Sequence, residues 1–162
     1  MAKIFVGLGS NIEPALHIQE GIDALLENFP DCTFSKQYES EAVGFDGENF
    51  INSVAEFSSS LTIEEIISIL GKIEDASGRT RTGPKFSART LDIDLLLYND
   101  SIIEERPVRV PRDDILQYSF VLRPLAELAP DLVHPVTGKT MLEHWQEFDA
   151  SSHPVTKMHV DL

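Results

Sequence analysis

Apolar positions along this chain recur with two periods, and the switches between them mark out its elements. Lys3 to Leu8 (KIFVGL) is a short apolar run ending in Gly9-Ser10-Asn11, the pattern of a buried strand and a turn. Pro14 suits a first helical turn, and beyond it Ile18, Ile22, Leu25, Leu26 and Phe29 recur at helical spacing until Pro30 stops the helix. Thr33 to Val43 reads as a polar strand running into a loop with Gly44 and Gly47, and Phe50 to Ser58 as a further strand. Thr62 followed by Glu65 is a capping-box signature, because hydroxyl and carboxylate can each take an orphan amide of a helix start. Ile63, Ile66, Ile67, Leu70 and Ile73 form the apolar stripe of that helix, with Gly78 as its expected terminator. Leu91 to Tyr98 (LDIDLLLY) is the clearest strand; Asn99-Asp100 turns it, and Ser101 to Val110 is expected to pair back. Phe120 to Leu128 reads as a short helix and Thr140 to Phe148 as a last amphipathic one. The segment from Ala150 has no periodicity and is expected to be loose.

The resulting order is strand, helix, strand, strand, helix, strand, then mostly helices. No helix separates the second strand from the third, which argues against a doubly wound parallel sheet. The expected fold is α+β: a ferredoxin-like antiparallel sheet with helices packed on its faces. A single three-layer α/β/α domain over residues 1–149, with 150–162 as a loose tail, fits a length of 162 residues.

Charge changes the picture more than composition does. With 13 Lys and Arg against 27 Asp and Glu, the net charge is −14, which repels duplex nucleic acid and anionic lipid. It would also repel a polyphosphate unless bases gather locally. They do: Ala76 to Leu91 holds no acidic residue but carries Arg79, Arg81, Lys85 and Arg89. A solvated loop with scattered bases is the plain explanation, and an anion site is the other. Cys32 is the only cysteine, so there is no internal disulfide and no cysteine-based zinc motif. The five histidines are too dispersed for a zinc site and are expected to be surface or satisfied polar residues. No signal peptide or apolar run of about 20 residues is seen, so the expected compartment is the cytoplasm.

The sharpest feature is Arg89-Thr90-Leu91-Asp92-Ile93-Asp94. Residues two apart on a strand share a face, so Leu91, Ile93, Leu95 and Leu97 are expected to line the core while Asp92 and Asp94 share the other face, roughly 7 Å apart. Bare, the two carboxylates repel each other. Mg²⁺, which prefers one or two carboxylates plus phosphates and water, removes that cost. An acidic solvent face would explain the pair alone, but four cations just upstream favour a metal-bound polyphosphate. No GxxxxGK[ST] segment is present, so the chain is not a P-loop protein.

The chain resembles the 6-hydroxymethyl-7,8-dihydropterin pyrophosphokinases. The likeness is carried in order by Gly9-Ser10-Asn11, Asn49-Phe50-Ile51-Asn52, Ile73-Glu74, Gly78-Arg79, Arg89-Thr90-Leu91-Asp92-Ile93-Asp94, Val110-Pro111, Phe120 and Pro124-Leu125-Ala126-Glu127-Leu128-Ala129-Pro130. It implies an enzyme of folate synthesis that transfers pyrophosphate from Mg-ATP to the pterin hydroxymethyl group and releases AMP. By the same resemblance Asp92 and Asp94 would ligate two Mg²⁺ ions. Arg79 and Arg89 would be the catalytic cations, on loop segments that close over the nucleotide. Glu74, Arg81 and Arg112 would contact ATP. Asn52 would bond the pterin's polar edge, Phe50 and Phe120 would sandwich its ring, and Ser40 and Val43 would complete the pocket. ATP and the pterin would be the partners of a monomer.

Four segments depart from the family pattern: Ser40-Glu41-Ala42, Phe86-Ser87-Ala88, Arg112 in place of a histidine, and Tyr118-Ser119 before Phe120. Arg109, Arg112 and Arg123 add base in the same stretch. A diverged paralogue acting on another pterin, a nucleotide-binding module without turnover and a plain protein-binding domain are the competing readings.

Overall fold

Strand β1 (Ala2–Ser10) lies at the centre of the molecule because both of its faces are buried: Ile4, Val6 and Leu8 turn one way and Phe5 the other. The computed structural model describes residues 1–40, 49–77, 90–105, 108–148 and the backbone of 155–157. Helix α1 (Pro14–Asn28) follows, with Pro14 in its first turn, and Phe29 closes it by donating its amide to Leu25 (2.7 Å). Next come β2 (Thr33–Phe34), β3 (Tyr38–Ser40) and β4 (Phe50–Ser59), then α2 (Ile63–Ala76) and β5 (Asp92–Tyr98). The last elements are α3 (Asp114–Gln117), α4 (Ser119–Leu128), α5 (Met141–Glu147) and β6 (Val155–Lys157).

The sheet order is β5-β1-β4-β3-β6, with β2 also on β4, and every pairing is antiparallel. This is the expected α+β, ferredoxin-like arrangement. Helices α1 and α2 cover one face over Ile18, Ile22, Leu25, Ile66 and Leu70. Helices α3, α4 and α5 pack on part of the other face around Ile115, Leu122, Leu125 and Met141. Each wholly buried Leu or Ile contributes about 1.5–3 kcal/mol, and the stacked pair Phe29–Phe57 (centroids 3.9 Å apart) joins α1 to β4.

Both capping boxes are formed. Thr62 accepts from Glu65 (3.2 Å) and Glu65 from Thr62 (3.0 Å); Thr140 and Glu143 repeat the exchange at α5. Gly78 lies outside the described residues, as do Gly44 and Gly47. Leu26, read from sequence as part of the helical stripe, is exposed.

Four local expectations are corrected. Thr33 to Val43 is not one strand: Phe34 pairs with Ala55 and Tyr38 with Asn52, so four steps along one strand face three along the other. Ser35 accommodates the extra residue by accepting the Val54 amide on its hydroxyl (2.9 Å). Ser101 to Val110 does not pair back on β5; among the described residues Ile103 and Val110 bond each other (2.7 and 3.0 Å) and close a loop. Asn99, at φ 51, fixes that turn through its side chain and amide, both bonded to Lys3. Leu97 does not share a face with Leu91, Ile93 and Leu95, because a bulge against Phe5/Val6 turns Leu96 and Leu97 together into the second core. Finally, the tail is not loose throughout: Val155–Lys157 pair with Tyr38–Ser40 and satisfy the edge of β3.

His17 and His134 are buried and satisfied, as expected. His17 Nδ1 meets the Ile12 carbonyl, while His134 Nδ1 accepts amides from Val136 (3.2 Å) and Thr137 (3.4 Å). His134 is therefore neutral, and burial, with a smaller effect from His144, holds its pKa below the ordinary value. A depressed folded-state pKa means that the unfolded chain takes up the proton first. Stability should accordingly fall as pH drops below about 6.5 and be unaffected above it. Urea melts from pH 7.5 to 5.0 should show this fall, and His134→Asn, which keeps an acceptor but cannot titrate, should show a flatter profile.

Candidate active site

Burial of Leu91, Ile93 and Leu95 against the α1/α2 core turns Asp92 and Asp94 to the opposite face, as the alternation requires. Both carboxylates are half-exposed there. The neighbours on β1 are glycines: Asp92 pairs with Gly9 and Asp94 with Gly7. On the far side Gly9 pairs with Asn52, and Asn52 with Tyr38. One row across the sheet thus reads Asp92, Gly9, Asn52, Tyr38, with a gap where β1 has no side chain. That gap is tight as well as bare, since a methyl on Gly9 would stand 3.1 Å from Asn52 Oδ1.

Asn52 and Ser40 are both buried, and the Asn52 amide donates to the Ser40 hydroxyl at 2.8 Å. Phe50, half-buried, pairs with Ser40. Antiparallel partners share a face, so Asn52, Ser40 and Phe50 lie on the same side of the sheet as the two aspartates. Phe120 is also half-buried and stacks on Tyr118 at 5.0 Å. Beneath, buried Tyr38 donates to the Glu127 carboxylate, and the Arg123 guanidinium lies 5.0 Å from the centre of its ring. Burial and that hydrogen bond raise the tyrosine's pKa, so it stays a neutral donor.

Two residues missed as structural anchors set the entry to β5. The Ser10 hydroxyl donates to the Thr90 carbonyl (2.5 Å), which ties the Gly-Ser-Asn turn to the acidic strand. Glu74 is buried, and its carboxylate accepts the Ile93 amide at 2.9 Å. Ile93 lies between the two aspartates on an edge strand, so Glu74 satisfies a donor that no strand reaches. The sequence expectation made Glu74 an ATP contact; one of its carboxylate oxygens also braces the strand that carries the two aspartates.

The three added arginines do not form one patch. Arg109 pairs with Asp113 (2.8 Å), and Arg123 covers Tyr38 and Trp145. Only Arg112 reaches the acidic pair: its Nη2 is 3.7 Å from Asp94 and its Nε 3.3 Å from Asp114. Burial disfavours its charge, but Asp94, Asp114 and Asp92 together outweigh this and raise its pKa. Cys32 plays no part, since burial, Asp31 and Glu56 push its thiol up to about 12. Arg79, Arg81, Arg89 and Val43 lie outside the described residues, as do Lys85, Phe86-Ser87-Ala88 and Glu41-Ala42.

The donor set can be tested against a metal. Among the described residues no three His, Cys, Asp or Glu side chains gather as a metal cage. Two adjacent, partly exposed carboxylates fit Mg²⁺ arriving with phosphate oxygens, and do not fit a permanently held structural ion.

Comparison with known proteins follows the same line. Residues 5–130 match the family model described as 7,8-dihydro-6-hydroxymethylpterin-pyrophosphokinase (HPPK). The 2-amino-4-hydroxy-6-hydroxymethyldihydropteridine pyrophosphokinase of Aquifex aeolicus is 34% identical over 145 residues, covering 88% of this chain and 90% of that protein. The protein of the same name from Synechocystis sp. is 36% identical over 150 residues, covering 91% and 76%. Among solved structures, Plasmodium falciparum wild-type HPPK-DHPS with pterin and p-hydroxybenzoate superposes with a TM-score of 0.70 over 90% of this chain, at 13% identity. At that identity the likeness shows the fold, and this chain spans 43% of that one.

The brace makes a separable prediction. Glu74→Ala leaves the Ile93 amide without its partner and should cost about 1–3 kcal/mol in urea unfolding. Glu74→Gln keeps an acceptor oxygen and should recover most of that loss.

Proposed function

This chain belongs to the 7,8-dihydro-6-hydroxymethylpterin-pyrophosphokinase family, and on that premise we propose how its own residues divide the work. The enzyme transfers pyrophosphate from ATP to the hydroxymethyl group of 6-hydroxymethyl-7,8-dihydropterin, in folate biosynthesis. The hydroxymethyl oxygen attacks the β-phosphorus, the bond between that phosphorus and the α-phosphate oxygen breaks, AMP leaves, and the hydroxyl proton passes to solvent. The family match and the similarly named relatives do not favour a different pterin or a module without turnover.

The observation that carries the assignment is the row Asp92, Gly9, Asn52 across three strands. Asp92 and Asp94 are the metal carboxylates, and Mg²⁺ held there, two ions in this reading, supplies charge neutralisation of the triphosphate. Asn52, oriented by Ser40, reads the polar edge of the pterin. Phe50 and Phe120 bound its ring, and Val43 completes the pocket. Gly9 leaves the space in which hydroxymethyl group and phosphate meet, about two strand spacings wide, or roughly 10 Å from Asp92 to Asn52. Arg79 and Arg89 supply cations to the transferring group, and Arg81 and Arg112 hold the nucleotide. Little proton transfer is asked of the protein, so alignment and charge stabilisation account for the rate. Glu74 also contacts ATP in this reading, and it braces the strand that carries the aspartates.

The reading extends to a cytoplasmic monomer acting on small molecules, without nucleic-acid or membrane partners. A net charge of −14 supports this, and no helix among the described residues is long and apolar enough to cross a membrane.

Incubation with ATP, Mg²⁺ and the hydroxymethyl pterin should yield AMP and the pterin pyrophosphate; ADP as product would contradict the mechanism. Asp94→Ala should lower kcat roughly a thousandfold, while thermal unfolding shifts by about 1 kcal/mol or less. Gly9→Ala should displace the Asn52 side chain. Its KM for the pterin should rise on the order of tenfold, with the KM for ATP little changed.

A further inference from the structure

Arg112 occupies a position that the metal reading leaves unexplained. Its guanidinium sits between Asp94 (3.7 Å) and Asp114 (3.3 Å), with the side chain 37% exposed. Its main chain is fixed to the acidic strand, since the Arg112 amide donates to the Leu96 carbonyl at 2.9 Å. Its Nε is buried, and among the described residues no acceptor is aligned on it as a hydrogen bond. Asp114 at 3.3 Å therefore neutralises Nε by proximity more than by a directed bond. A cation that lies within 4 Å of two carboxylates, with no directed bond at Nε, is placed to be exchanged between them and a third acceptor.

We propose that Arg112 is the resting counter-cation of Asp94: it occupies the carboxylate until metal and polyphosphate arrive together, then yields it and turns to the phosphate. The inference rests on the assignment of Asp92 and Asp94 as metal ligands. A divalent ion alone must displace the guanidinium from Asp94 and leave it beside a second positive centre, which is unfavourable. A divalent ion that brings phosphate oxygens offers the displaced guanidinium new acceptors, which Arg binds in a planar fork. Arg112 thereby links metal binding to nucleotide binding, and Asp114 retains the side chain during the exchange. A neutral side chain at this position would hold the phosphate less firmly but would not oppose the free ion.

The test uses Mn²⁺ as the probe, followed by electron paramagnetic resonance, with and without a non-hydrolysable ATP analogue. Arg112→Gln should bind free Mn²⁺ on the order of tenfold more tightly than the parent chain, yet bind the Mn²⁺–analogue complex more weakly. Asp114→Asn, which releases Arg112 fully onto Asp94, should weaken free Mn²⁺ binding severalfold. It also keeps the test open should Arg112→Gln fail to fold. Free Mn²⁺ affinity unchanged or reduced in Arg112→Gln, or unchanged in Asp114→Asn, overturns the proposal. Asp94→Asn separates the two levels. If it binds the Mn²⁺–analogue complex as the parent does, the metal assignment itself fails, whatever the Arg112 variants do.

Discussion

Burial of one face of β5 is the constraint from which the rest of the site follows. Leu91, Ile93 and Leu95 are held under α1 and α2, and a pleated strand then leaves Asp92 and Asp94 only the opposite side. A slip of one residue would bury two carboxylates and expose three large apolar side chains, so the register has no close competitor. The pairing with β1 is equally determined, because Ser10 ties the Thr90 carbonyl at one end and Asn99 ties Lys3 at the other. Between those two fixed ends the bulge at Leu96 spends one residue to seat Leu96 and Leu97 in the second core. The strand is thus acidic and open at its start, and wholly apolar where α3–α5 cover it.

The opening across β1 depends on a sacrifice of packing. Gly7 and Gly9 weaken an interior strand, since each adds backbone freedom and no contact. The loss is tolerable because β1 pairs along its length with β4 and again with β5. Polar residues elsewhere on that face are likewise held by more than one partner. Asn52 is bonded to Ser40, and Ser40 lies on a short strand paired on both edges, with β4 and with β6. Tyr38 on the same strand is locked to α4 through Glu127. A recognition site built on so short a strand needs these ties, because two or three ladder bonds alone would not orient it.

The sequence made the alternation legible, and with it the fold class, the acidic pair and the face of the sheet it occupies. Helical stripes, the Thr62 capping box and the strand LDIDLLLY were readable because each is a local pattern repeated several times. What escaped reading depended on single residues acting at a distance. The extra residue between Phe34 and Tyr38 and the bulge at Leu96 each change a face without changing composition. The C-terminal strand carries three residues of ordinary composition, and its pairing is decided by the free edge of β3. The brace from Glu74 was not legible, since nothing local marks a carboxylate that accepts a strand amide 19 residues away. The Thr140–Glu143 box, by contrast, had its signature in plain view.

Charge balance connects the acidic surface to an anionic substrate. Among the described residues, the Arg112 guanidinium lies against Asp94 and Asp114 on the acidic side of β5. Carboxylates on a strand attract divalent metal and repel a bare triphosphate. The excess negative charge on the phosphates then has to be met from elsewhere in the chain. Arg109 pairs with Asp113 and Arg123 covers Tyr38 and Trp145, while along the sequence the bases are densest from Ala76 to Leu91, with four and no acid. Segregation of acid and base along the chain reconciles a net charge of −14 with a polyphosphate substrate. Arg112 places one further positive charge on the rigid side of the molecule, 3.7 Å from Asp94.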